Sequence, residues 1–82
     1  MIKNYRKKPV IIEAIQFDGN NFIECKEFLK GNFDNTLNYP NIKTLNGIVF
    51  IEPFEFICKG IANEFYPCKP DIFSMTYEEV KD

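Results

Sequence analysis

Apolar positions along the chain fall into short blocks whose spacing changes from one to the next. The first block, Val10 to Phe17 (VIIEAIQF), is rich in β-branched residues. One parity carries Val10, Ile12, Ala14 and Gln16, the other Ile11, Glu13, Ile15 and Phe17. Both are mostly apolar, so this strand is expected at the centre of a sheet, covered on both sides. Glu13 is then expected near the sheet edge or paired with Arg6 or a lysine.

The period next lengthens to that of a helix. After the turn signal Asp18-Gly19, Phe22, Cys25, Phe28 and Leu29 share one helical stripe and Ile23 borders it. Asn20 or Asn21 can serve as N-cap, with Glu24 as a capping-box partner of Asn21. Gly31 is a natural residue just past the helix end. One such helix covers one face of a sheet. The segment NFDNTLNYP, residues 32–40, is a polar loop with two aromatics.

Alternation then returns twice. Two β-prone runs flank Asn46-Gly47, the dipeptide preferred in a two-residue type I′ hairpin. A second hairpin is expected with Phe54 to Lys59 as one arm, a turn near Gly60, and Ala62 to Cys68 as the other arm. Strand parity places Glu64, Tyr66 and Cys68 on one face and Phe65, Pro67 and Lys69 on the other. Pro67 cannot donate to a ladder, so this strand lies at an edge or its pairing stops there. Pro70 suits a first helical turn, where Asp71 also belongs. The pattern as a whole predicts an α+β fold: a small, mostly antiparallel sheet in the order β-α-β-β-β-β, one covering helix, and a short C-terminal helical turn. Ile15, Phe65 and Ile72 are expected in the core, with Phe73, Met75 and Tyr77 packing back on the sheet.

Size and charge narrow this picture. Eighty-two residues make one domain, spanning 1–82. A core this small gives only marginal stability, so association into a homo-oligomer is expected. A net charge of −2 argues against a nucleic-acid partner, although Lys3, Arg6, Lys7 and Lys8 crowd one end and Glu78, Glu79 and Asp82 the other. No apolar run approaches the ~20 residues of a membrane span, and Pro9 and Glu13 interrupt any signal-like segment. The expected location is the cytoplasm. Three cysteines without paired spacing, and no histidine, give reduced thiols and no metal site.

Two blocks, YRKKPVIIEAIQF (Tyr5–Phe17) and CKGIANEFYPCKPDIFSMTYEEV (Cys58–Val80), are similar to a family of small phage and prophage proteins of Gram-positive bacteria and their viruses. Those proteins open and close with similar runs, and most are of unassigned function. The resemblance covers about half the chain and leaves residues 20–41 outside it. Where the family commonly has a Pro-Gly-Asp turn, this chain has Glu52-Pro53-Phe54-Glu55. Where it has a Lys-Gly pair, this chain has Ala62-Asn63. The resemblance implies a phage genome. Small phage proteins of this size often counter host defence, some by holding a nucleotide-derived signal without cleaving it.

No residue set writes out a reaction: histidine is absent, no Ser or Cys has a recognisable activating partner, and no glycine-rich phosphate loop is present. A non-enzymatic protein without cofactor is expected. Anion binding is better supported. Arg6 suits bidentate phosphate contacts, and Lys8 and Lys69 supply point charges. Tyr5 and Tyr66 can contact a base or ribose. These five residues converge if the two end blocks are neighbours. The ligand would be a small phosphorylated nucleotide such as a cyclic nucleotide or an ADP-ribose derivative. Against this, Tyr66 and Phe73 can be plain core, and Lys69 can pair with a tail glutamate. The alternative function is a protein–protein module that inhibits a host factor or assists the phage particle, through a patch such as Phe33, Tyr39 and Phe54.

Overall fold

A computed structural model describes residues 1–81. In chain order it forms β1 (Glu13–Gln16), α1 (Phe22–Leu29), β2 (Asn41–Thr44), β3 (Gly47–Phe50), β4 (Phe56–Lys59), β5 (Phe65–Cys68) and α2 (Pro70–Thr76). The α+β class and the order of elements are those the hydrophobic pattern predicts. Every strand pairing is antiparallel, but the strands make two sheets, β1-β4-β5 and β2-β3.

The first strand departs from expectation in place and length. It lies at an edge, and β4 takes the centre. The reason is partner supply: β4 ends at Lys59, opposite Glu13, so Val10 to Ile12 have nothing to pair with. Propensity alone does not make a strand where no ladder is on offer. Glu13 accordingly stands at the edge and meets Lys59 at 3.8 Å.

Central β4 explains the layers. Ile57 and Cys58 point to opposite faces and both are fully buried. On the Ile57 face lie α1 and the β2-β3 hairpin, forming a core of Phe17, Cys25, Leu29, Ile42, Ile51 and Ile57. Ile15 and Phe65 pack against it, and Phe65 meets Phe28 edge-on with ring centres 5.4 Å apart. Burying each such aliphatic side chain contributes about 1.5–3 kcal/mol. The Cys58 face is covered by α2, whose Phe73 stacks on Phe56 at 3.8 Å. Ile72, expected in the core, is 48% exposed on that short helix.

Local signals account for the ends of elements. Asn21 caps α1 by position, but its side chain turns back: Oδ1 accepts the Asp18 amide at 2.8 Å and Nδ2 donates to the Gln16 carbonyl and to Glu24. The helix ends with Lys30 and Gly31 both at positive φ. The loop to β2 is tied by the buried Asn41 amide. Its Oδ1 accepts the Asp34 N–H at 2.7 Å, and its Nδ2 donates to the carbonyls of Asp34 and Tyr39. The β2-β3 hairpin pairs Thr44 with Gly47, so its two turn residues are Leu45 and Asn46. Neither has positive φ; Gly47 does, at 120°. A type I′ turn needs positive φ at both central residues, so the expected turn type is replaced by one shifted a residue earlier.

Two further non-glycine residues fall at positive φ. Phe54 has φ 74° and Asn63 has φ 62°. Glycine adopts this geometry freely. Asn tolerates it, whereas a bulky Phe is strained there.

In β5 the hydrogen-bond parity follows from the Gly60 amide, which donates to the Glu64 carbonyl at 2.8 Å. Counting on, Tyr66 and Cys68 face β4, opposite Cys58 and Phe56. Pro67 faces outward, so the strand is an edge strand and its proline removes no ladder bond.

Candidate functional site: a lysine–tyrosine cluster on the α2 face

Register decides what the second face carries. Phe56 opposes Cys68, Cys58 opposes Tyr66, and Ala14 opposes Cys58 from β1. Phe73, in α2, lies over Phe56. Tyr77, four residues later, reaches the same face and packs on Phe73 with ring centres 4.9 Å apart. The Tyr77 hydroxyl comes within 3.4 Å of the Tyr66 hydroxyl. From the N-terminal arm, Lys7 Nζ donates to the Tyr77 hydroxyl at 2.9 Å and sits 4.6 Å from its ring centre.

Electrostatics splits the two phenols. The Lys7 ammonium, with the Tyr66 hydrogen bond, holds the Tyr77 phenol below its usual value. The hydrogen bond to Tyr77, then burial, pushes Tyr66 well up. Both shifts fit Tyr66 as donor and Tyr77 as acceptor from two sides. Cys58 beneath them is pushed up to about 11, first by burial, and stays a thiol.

A groove of about 960 Å³ opens beside this cluster, along the outer edge of β1. Tyr77 and Phe73 line it from one face of the sheet, Ile15 and Phe28 from the other, and Glu13, Glu78 and Glu79 are its acidic residues. A second groove of about 680 Å³ runs between the β2-β3 hairpin and β5, with Lys43, Asn46, Asn63 and Glu64 among its polar residues. Both volumes lie in the range of small-molecule sites. Among the described residues no group of His, Cys, Asp or Glu is arranged to hold a metal ion.

The five residues singled out from sequence are placed unevenly. Tyr66 is half-buried within the cluster. Tyr5 is 88% exposed, and Arg6 and Lys8 are exposed beside it in an arm without regular structure. Lys69 is the exposed N-cap residue of α2 and makes no side-chain capping bond. Among the described residues, no hydrogen bond, ion pair or aromatic contact joins Tyr5, Arg6, Lys8 or Lys69 to Tyr66. First and last strands are not neighbours, because β4 separates them. The two end blocks nevertheless meet, through Lys7 and Tyr77. Strand alternation through residues 6–8 would set Lys7 on the side away from Arg6 and Lys8. The spacing of Phe73 and Tyr77 was the available signal for Tyr77.

No helix among the described residues is long and apolar enough to cross a membrane. Comparison with family models, curated proteins and solved structures returns no match to this chain.

Proposed function

We propose that this chain is a phage-encoded, non-enzymatic binding protein that sequesters a small phosphorylated nucleotide, such as a cyclic nucleotide or ADP-ribose signal of host immunity. The observation that carries it is the meeting of the basic N-terminal block with the C-terminal block: Lys7 on Tyr77, and Tyr77 on Tyr66. A cation beside an aromatic face and two phenols, one of which, Tyr77, lines a groove, supplies the groups that phosphate, ribose and base require. Arg6 and Lys8 flank Lys7 and bring further cations to phosphate, with Lys69 at the start of α2. The exposed ring of Tyr5 and the hydroxyl of Tyr66 serve base and ribose. Associated copies would enclose the ligand more fully than one small domain.

A thermal-shift screen of the folded protein against cyclic nucleotides and ADP-ribose derivatives tests this. At a hundredfold excess over Kd, mass action stabilises the folded state by about 2.7 kcal/mol. For a domain of this size each kcal/mol raises Tm by about 4–8 °C. Lys7→Ala and Tyr66→Phe should reduce the shift, and released ligand should be chemically intact. No shift across the panel sinks the reading, and turnover of the ligand replaces it with an enzyme. The second reading, a protein–protein module, draws on the exposed edge-to-face pair of Tyr39 and Phe50, ring centres 5.7 Å apart. Phe33, expected in that patch, instead packs against Phe22.

A further inference from the structure

The two edges of the three-stranded sheet differ, and the difference points to a partner. Backbone groups alternate in direction along a strand. Phe17 exchanges backbone hydrogen bonds with the Phe54–Glu55 segment that leads into β4. Odd-numbered residues of β1 therefore turn their N–H and C=O toward β4, and even-numbered ones turn them outward. Ile12 and Ala14 thus present an open ladder edge, whereas the β5 edge is blunted by Pro67. The strand-prone run continues past the paired part of β1 to Val10, and Ile11 there is 80% exposed.

We propose that β1 pairs antiparallel with β1 of a second copy, about a twofold axis through Ile12, making one continuous sheet. Val10 of each copy then faces Ala14 of the other, and their outward backbone groups bond. Lys8 faces Gln16, and Arg6 faces Asp18. Arg6 and Asp18 are exposed, and neither has an ion-pair partner among the described residues. Pro9 faces Ile15 at the odd parity, where no N–H is called for. The neighbouring register, with Glu13 on the axis, sets two like charges opposite each other and is disfavoured. The partner strand enters the groove beside β1, covering Val10 and Ile11. Because one segment supplies the open donors, the apolar side chains and both charge signs, the surface is complementary to itself, as a twofold interface must be. The inference does not need the ligand reading and draws on the same Arg6 and Lys8.

Sedimentation equilibrium and amide exchange on the full chain test it. The expected mass is twice 9.7 kDa at micromolar concentration, with slowed exchange at the Ile12 and Ala14 amides. Ile12→Pro lies outside β1 and removes the outward N–H on the axis, so it should give a monomer with unchanged circular dichroism. Arg6→Asp should weaken association about tenfold, and adding Asp18→Lys should restore it. A single-copy mass for the wild-type chain overturns the proposal, as does a dimer indifferent to Ile12→Pro or one whose Ile12 and Ala14 amides exchange freely. A monomer that instead takes up an extended foreign peptide at this edge overturns it too.

Discussion

Lys7 engages Tyr77 twice, as a hydrogen-bond donor and as a cation over its ring. An exposed pair of this kind contributes about 0.5–1 kcal/mol. Its clearer signature is in titration. Tyr77 should ionise below the ordinary tyrosine value of 10.0 and Tyr66 above it. Lys7→Ala should raise the Tyr77 transition, because the charge that favours phenolate is gone, and ultraviolet titration of Tyr77→Phe and Tyr66→Phe variants assigns the two steps. An unmoved lower transition would mean that Lys7 does not hold Tyr77 in solution. The face that Tyr66 shares with Cys68 was legible from strand parity. Lys7 was not, because alternation carries no information over residues 5–9, where no sheet enforces it.

Elements bounded by turn chemistry were the most readable. Proline at residue 67 marked β5 as an edge strand and proline at residue 70 the start of α2, and glycine and asparagine marked both hairpins. Extent was less readable: Val10 to Ile12 have the composition of a strand but no partner strand beside them. Turn type was also missed at Leu45-Asn46, since the Asn-Gly signal does not say which residue takes the positive φ. Phe54 offers a sharper case. A left-handed conformation costs a non-glycine residue about 1–2 kcal/mol, and the ring is 59% exposed, so little burial offsets it. Phe54→Gly should therefore stabilise the protein. Allowing about 0.5–1 kcal/mol for the entropy of glycine, the net gain is about 1 kcal/mol by urea denaturation. Asn63→Gly should be close to neutral. A loss at Phe54→Gly would show that its ring is packed in solution.

At the scale of the whole molecule, the radius of gyration is 13.9 Å, above the roughly 12 Å of a compact chain this long. The excess fits an exposed N-terminal segment outside the sheet, which reading residues 10–12 as a buried strand had hidden. Buried thiols on both faces set the alkaline limit. Cys25 and Cys58 are each raised from 9.0 to about 11, first by burial. The folded state thus keeps protons that the unfolded chain releases. Their contribution is complete below pH 9 and is lost as pH climbs toward 11. Tyr66 adds in the same sense, and Tyr77, shifted the other way, opposes it in part. Urea midpoints should be flat from pH 7 to about 9 and fall above that, and Cys58→Ala should flatten the fall even if it lowers the plateau. An alkaline fall unchanged in Cys58→Ala would assign the loss to other groups.

Pro67 has a consequence beyond β5. An object with two open edges has a valence of two and can add copies without limit, as fibres do. A proline facing outward on one side leaves this sheet a valence of one. Growth along the ladder then terminates at the first addition, and a surface of Val, Ile and unpaired amides can remain exposed on the single chain without seeding a polymer.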